Sequence, residues 1–118
     1  MTIPPFLLEL RTNYLHSFHD KALRIEELWK KNNLQLLRDE FHKMKGTGQT
    51  YGFAEISQLG EILEKICLDQ CDRIDVAIPL ALSLLADLVA QRLNDQELNC
   101  ADDQRFKELK QMVDRAKP

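Results

Sequence analysis

Residues 34–53 read LQLLRDEFHKMKGTGQTYGF, and how this stretch folds decides the class of the protein. Leu34, Leu37, Phe41 and Met44 recur at spacings of three and four, the period of one face of an α-helix. The pattern then meets Gly46, Thr47 and Gly48, a cluster that reads either as a helix terminus or as a helix continuing through small residues. Met44, Gly48 and Tyr51 continue the inward face and Gly52 is the better stop, so the spacing predicts one helix running through Gly46. Glycine inside a helix costs about 1 kcal/mol relative to alanine. A helix accepts that cost where something must approach its backbone closely.

The same period runs outward in both directions. On the N-terminal side, Leu7, Leu10, Tyr14, Phe18, Ala22, Ile25 and Leu28 share a face behind Pro4 and Pro5, which suit a helix start. Asp20 is a candidate cap midway, so this is one long helix or two with a bend; the KKNN stretch (Lys30 to Asn33) ends it. On the other side, a helix from Ala54 to Asp69 carries Ile56, Leu59, Leu63 and Ile66. After the break at DQCDRID, a fourth carries Ile78, Ala81, Leu85 and Leu88, with Pro79 expected in or near its first turn, where a missing N–H does least harm. The last helix is expected to start on Asp102 or Asp103 as its cap, with Phe106, Leu109, Val113 and Ala116 inward. Short connections between amphipathic helices imply antiparallel neighbours. The expected fold is all-α: an antiparallel up-and-down four-helix bundle with an extra C-terminal helix, one domain over residues 1–118.

Composition narrows the function. The net charge of −3 and the absence of a basic stripe argue against nucleic acid as a partner. No run of about 18 apolar residues is present, so no membrane-spanning helix is expected. The first residues have no basic run ahead of an apolar one, so no secretory signal is expected either. Cys67, Cys71 and Cys100 are odd in number and lack paired spacings, which fits reduced thiols in the cytoplasm. Cys67 and Cys71 can share a helix face, but two thiols make no zinc site, and Cys67 reads as a small core residue. His16 and His19, three apart, lack a third ligand nearby and read as ordinary helix-surface or core-edge histidines. No metal ligand set is expected.

His42 stands apart. On a helical wheel Arg38, Lys45, Gly46 and Gln49 fall within about 60° of it, with Gln35 and Asp39 beside them. This places His42 on the polar face at the edge of the core, where a plain solvated histidine is the ordinary reading. Its neighbours suggest more. A free imidazole titrates at about 6.5 and is mostly neutral and nucleophilic near pH 7. Lys45 puts an ammonium on the same face, and Gly46 leaves a bald patch one turn away. A histidine nitrogen that accepts a phosphoryl group, a lysine to neutralise its oxygens and an open surface for the donor form one coherent set, because phosphoryl transfer asks mainly for positioning and charge neutralisation.

The run FHKMKGTGQTYGF resembles the signature of the histidine phosphotransfer (HPt) domain: His-x-Leu-Lys-Gly, a run of small residues and a further glycine. His42, Lys45, Gly46 and Gly52 match in place, and YGFAEISQLGEILE resembles the family's continuation into the next helix. Met44 stands where leucine is commoner, a volume-conserving exchange. The resemblance implies a four-helix bundle with His42 as phosphoacceptor through Nε2, Lys45 as its electrostatic partner and Gly46 as clearance. It also implies an acceptor for Nδ1–H on the following helix, for which Glu64 is the first candidate and Glu61 the second; read without the resemblance, Glu64 is a surface charge. The implied partners are response-regulator receiver domains and a hybrid sensor histidine kinase. They would dock on a patch and rim containing Gln35, Arg38, Asp39, Gln49 and the first-helix residues Phe6, Leu7 and Leu10, some of which must instead be core. Mg2+ would belong to the receiver's acidic pocket, with no cofactor intrinsic to this chain.

The expected function is therefore a cytoplasmic, monomeric phosphoryl carrier of a two-component phosphorelay, without a nucleotide site or kinase activity of its own. Two other readings stay open: the phosphoacceptor domain of a chemotaxis-type histidine kinase, and a binding bundle that is never phosphorylated.

Overall fold

The computed structural model describes residues 4–69, 71–97 and 99–115. Among these the chain forms six α-helices: α1 (Pro5–His16), α2 (Phe18–Lys30), α3 (Leu34–Thr50), α4 (Ala54–Asp69), α5 (Ile74–Leu93) and α6 (Gln104–Arg115). Short 3-10 turns at Cys71–Arg73 and Cys100–Asp102 precede α5 and α6. The described residues contain no strand, and the fold is an all-helical bundle.

Three helix ends share one device. After α2, α3 and α5 the chain passes through a residue of positive φ: Asn32 (55°), Gly52 (83°) and Asp95 (55°). In each case the following N–H reaches back to a carbonyl five residues earlier: Asn33 to Leu28 (2.9 Å), Phe53 to Gly48 (2.7 Å) and Gln96 to Gln91 (2.8 Å). These are Schellman terminations, which satisfy carbonyls the helix end would otherwise orphan. Gly52 therefore closes α3 as expected, and Gly46 lies inside the helix. Asn33 then caps the start of α3, its side chain accepting from the Leu36 N–H at 3.2 Å.

The first expected helix is two. The break falls at Ser17 rather than Asp20: the Ser17 hydroxyl donates to the Tyr14 carbonyl (2.5 Å), a local bond that competes with the helical ladder. Ser17 keeps helical angles (φ −68°, ψ −15°), so the chain enters α2 without leaving the helical region. Pro79 also departs from expectation. α5 begins at Ile74, which puts Pro79 in the second turn, where its ring denies Asp75 an intrahelical donor. Both residues are exposed, on the solvent side of the helix.

Cross-links set the helix directions. Tyr14 meets Thr47 while Arg24 meets Glu40, so α1–α2 run opposite to α3. Trp29 Nε1 donates to Asp75 at one end of α2, and Phe18 shares a groove with Leu85 at the other, so α2 also opposes α5. The core between them is built from Leu37, Phe41, Ile56, Leu59, Leu63 and Leu84, with exposures of 0–2%. α5 is 20 residues long with a mean hydropathy of 1.7, long and apolar enough to cross a membrane by those two measures. Here one of its faces, including Ile78, Leu84 and Leu88, lies in the core, and Asp75, Asp87 and Arg92 interrupt the rest.

α6 packs on α4 and α5 through Phe106, Leu109, Met112 and Val113, all buried; Ala116, also expected to face inward, lies outside the described residues. Cys67 is in the core as expected, but α4 ends at Asp69, so Cys71 opens the 3-10 turn instead of continuing its face. Cys100 is fully buried, and burial pushes its thiol up to about 12.

Asp103 is the α6 cap: its Oδ1 accepts from the Arg105 N–H at 2.8 Å. The Arg105 guanidinium binds the same carboxylate and bridges to Asp87 (2.7 Å) on α5. Arg105 thereby holds the Asp103 carboxyl below its ordinary range. A depressed carboxyl stabilises the fold at pH values above its unfolded pKa, and that contribution fades as acid titrates the folded form. Asp103→Ala should cost about 1–2 kcal/mol in urea unfolding at pH 7, and the difference from wild type should shrink below about pH 4. A difference that is independent of pH would show that only the neutral cap contributes.

Candidate functional site

α3 and α4 form a tight hairpin, and two glycines make it so. A Cβ on Gly60 would stand 2.7 Å from the Lys45 nitrogen and 2.8 Å from the Phe41 carbonyl oxygen. A Cβ on Gly48 would stand 2.7 Å from the Ser57 nitrogen. At both places the backbones touch with no room for a side chain. The Ser57 hydroxyl donates to the Lys45 carbonyl at 2.8 Å and pins the register.

That register sets the site. His42 lies one residue past Phe41 and Glu64 four residues past Gly60, so the two side chains come together on the outer seam of the hairpin. His42 Nδ1 and Glu64 Oε2 are 2.6 Å apart. A carboxylate can only accept, so Nδ1 carries the proton and donates it, leaving the Nε2 lone pair free. The two side chains differ in setting: the imidazole is 71% exposed and the glutamate 18%. The carboxylate is anchored and the ring presented to solvent.

Lys45 Nζ lies 3.7 Å from Glu61 Oε1, and Lys65 Nζ is equally far from the same oxygen. Of the two expected acceptors for Nδ1–H, Glu64 occupies that place and Glu61 pairs with the lysines. Gly46 is exposed, and an ideal Cβ there meets nothing within 4 Å. Internal packing therefore gives no reason for a glycine at 46, in contrast to 48 and 60.

Gln35, Arg38 and Gln49 are exposed on the face of α3 that bears His42, and Asp39 is half-buried beside them. Leu7 is half-buried, while Leu10 and Phe6 are exposed, Phe6 at 67%. These α1 residues are not beside the histidine. Arg11 reaches Gly52 and Phe53, so the start of α1 lies level with the far end of α3, about 15 Å along the axis from His42 by helical rise. An aromatic cluster fixes that end: Tyr14 stacks on Tyr51 (4.6 Å between centroids), and its buried hydroxyl, raised in pKa by desolvation, bonds Thr47 at 2.7 Å.

His16 and His19 are exposed along a groove between α1–α2 and α5. Among the described residues no three His, Cys, Asp or Glu side chains cluster as a metal site.

The Hpt domain family matches residues 9–117, nearly the whole chain. The chain belongs to the Hpt domain family. No curated protein and no solved structure is significantly similar to it. Hpt domains are histidine phosphotransfer modules of phosphorelay signalling, phosphoryl carriers rather than enzymes, and they work with receiver domains and histidine kinases.

Two features of this Hpt site are missing from the sequence reading. One is Gly60, whose signal was an isolated glycine inside the helical period of ISQLGEILE, a costly choice that points to a packing reason. The other is the pairing of Glu61 with both Lys45 and Lys65, which no local spacing reveals because it spans two helices. The two kinds of glycine predict opposite outcomes. Gly60→Ala should cost about 1–3 kcal/mol by forcing α3 from α4 and should weaken the His42–Glu64 bond, seen as mixed imidazole tautomers in 15N NMR. Gly46→Ala should stabilise the protein by up to about 1 kcal/mol. Equal effects of the two substitutions on stability would refute the division.

Proposed function

We propose that this Hpt domain accepts a phosphoryl group on Nε2 of His42 from the aspartyl phosphate of a receiver domain and passes it to the aspartate of another. The observation that carries this reading is the 2.6 Å bond from His42 Nδ1 to Glu64 on an otherwise exposed ring. With Nδ1–H held by a carboxylate, Nε2 is the nucleophilic nitrogen and faces outward. As its lone pair forms the N–P bond, the P–O bond to the receiver's aspartate breaks and that electron pair returns to the carboxylate. The ring becomes cationic, and Glu64 stabilises the developing charge through the proton it already shares. Lys45 neutralises the phosphoryl oxygens, and the reverse sequence delivers the group onward.

Docking takes place on the α3 face around His42. Gly46 gives the clearance next to the ring, Gln35, Arg38, Asp39 and Gln49 form the polar rim, and Leu7 and Leu10 extend the contact at the α1 end. The receiver brings Mg2+ in its own acidic pocket. We read the domain as a monomeric cytoplasmic carrier that draws phosphate from a hybrid sensor kinase.

The test mixes the purified chain with receiver domains charged with labelled phosphate. Acid-labile, base-stable label should appear on the wild type and be absent from His42→Gln, with the fold unchanged by circular dichroism. Label retained on His42→Gln would move the acceptor elsewhere, and none on the wild type would favour a bundle that only binds. Gly46→Gln should fold normally yet lose most transfer. Normal transfer by that variant would remove clearance from the account.

A further inference from the structure

The inference rests on the phosphoacceptor reading of His42 and concerns what Lys45 does before any phosphate arrives. Its Nζ is not waiting free: Glu61 Oε1 lies 3.7 Å away, and Lys65 Nζ sits at the same distance from that oxygen. Glu61 precedes Glu64 by three residues on α4, so the carboxylate near Lys45 and the carboxylate holding His42 stand one above the other on the same face. The side chains of Lys45 and Glu61 are 39% and 44% exposed, and a pair that wet and that long is weakly held. Lys43, another cation of α3, is 3.9 Å from Glu40 and belongs to a different group toward α2.

A phosphoryl group near neutral pH carries about −1.5 to −2 charges. Placed on Nε2, it is a stronger attractor for Lys45 than one exposed carboxylate. When Lys45 moves to it, Glu61 loses a counter-ion while lying near both the Glu64 carboxylate and the new anion. Lys65 covers that loss, because it already shares the same oxygen.

We propose that Glu61 is a placeholder for the phosphoryl group: it holds Lys45 in the unphosphorylated protein and releases it to phospho-His42, while Lys65 stays to neutralise the vacated carboxylate. Glu61 and Lys65 are positioning residues. They touch no reacting atom and exchange no proton in the transfer; they act by setting how available Lys45 is, and so where phosphate comes to rest between His42 and the receiver's aspartate.

The experiment uses the full chain and a receiver domain charged from acetyl phosphate. It reads the equilibrium partition of phosphate between the two proteins and the lifetime of phospho-His42 by 31P NMR. The variants are Glu61→Gln, Lys65→Ala, Lys45→Ala and the doubles combining each of the first two with Lys45→Ala. Glu61→Gln should move the partition toward phosphohistidine by about two- to fivefold, the range a surface ion pair corresponds to. Lys65→Ala should move it by a similar factor toward the receiver. Both shifts should vanish when Lys45 is alanine. A Glu61→Gln partition equal to wild type would overturn the proposal. So would shifts that persist undiminished without Lys45, since they would then belong to the general field of nearby charges. A wild-type chain that takes no label would overturn the phosphoacceptor reading and this inference together, whereas a labelled wild type with an unmoved Glu61→Gln overturns the inference alone.

Discussion

The backbones of α3 and α4 touch where Gly60 lies against Phe41 and Lys45 and where Gly48 lies against Ser57, and the site depends on that contact. A helix holds its side chains in fixed relation over a turn, so positioning Gly60 also positions Glu61 and Glu64. The same contact positions the turn of α3 that bears His42 and Lys45. Had the helices packed at the usual 8–10 Å or so, through ordinary side chains, a glutamate on α4 would lie farther from the imidazole. Close packing here serves an electrostatic end: it brings a partly buried carboxylate within 2.6 Å of an exposed ring.

The glycines of the hairpin answer to different demands. Gly52 takes a backbone angle (φ 83°) that side chains disfavour, and it ends α3. Gly48 and Gly60 are required by contact with the opposite helix. Gly46 has no neighbour within reach of a Cβ, and its cost to the helix is offset by nothing inside the molecule. A residue that weakens its own helix without an internal reason points to an external one. For Gly46 the proposed external body is the protein that brings or takes the phosphate.

The site's charges follow the same division between anchored and free. Glu64 is mostly buried and committed to one bond. Lys45, Glu61 and Lys65 form a loose, wet group at 3.7 Å that can rearrange at little cost. Elsewhere the charged groups that join helices are tighter: Arg92 grips the buried Glu55 at 2.8 and 3.1 Å, and Arg105 ties α6 to α5. The ion pairs that tie helices together are short where they hold the bundle's shape and longer around Lys45.

Hydrophobic period and capping chemistry made α3, α4 and the start of α6 readable from the chain alone, because each signal lies within a few residues of what it specifies. The motif around His42 was readable for the same reason. The split at Ser17 and the place of Pro79 were not, since each turns on a single bond or a start point that neighbouring packing selects. Leu7 and Leu10 share the apolar period with Tyr14 yet lie toward the open end of α1, because period reports a face and says nothing about how far a neighbouring helix extends to cover it. By itself, then, the sequence determined most of the residues that face inward, where α2, α3 and α4 stop, and the family motif that contains His42. Only the tertiary structure decided that Glu64 accepts the hydrogen bond from the imidazole Nδ1–H and that Glu61 pairs with the lysines. Those pairings depend on how closely two helices approach and in what register: an isolated glycine such as Gly60 signals close packing, but which side chains it brings together across two helices is written in neither helix's own pattern.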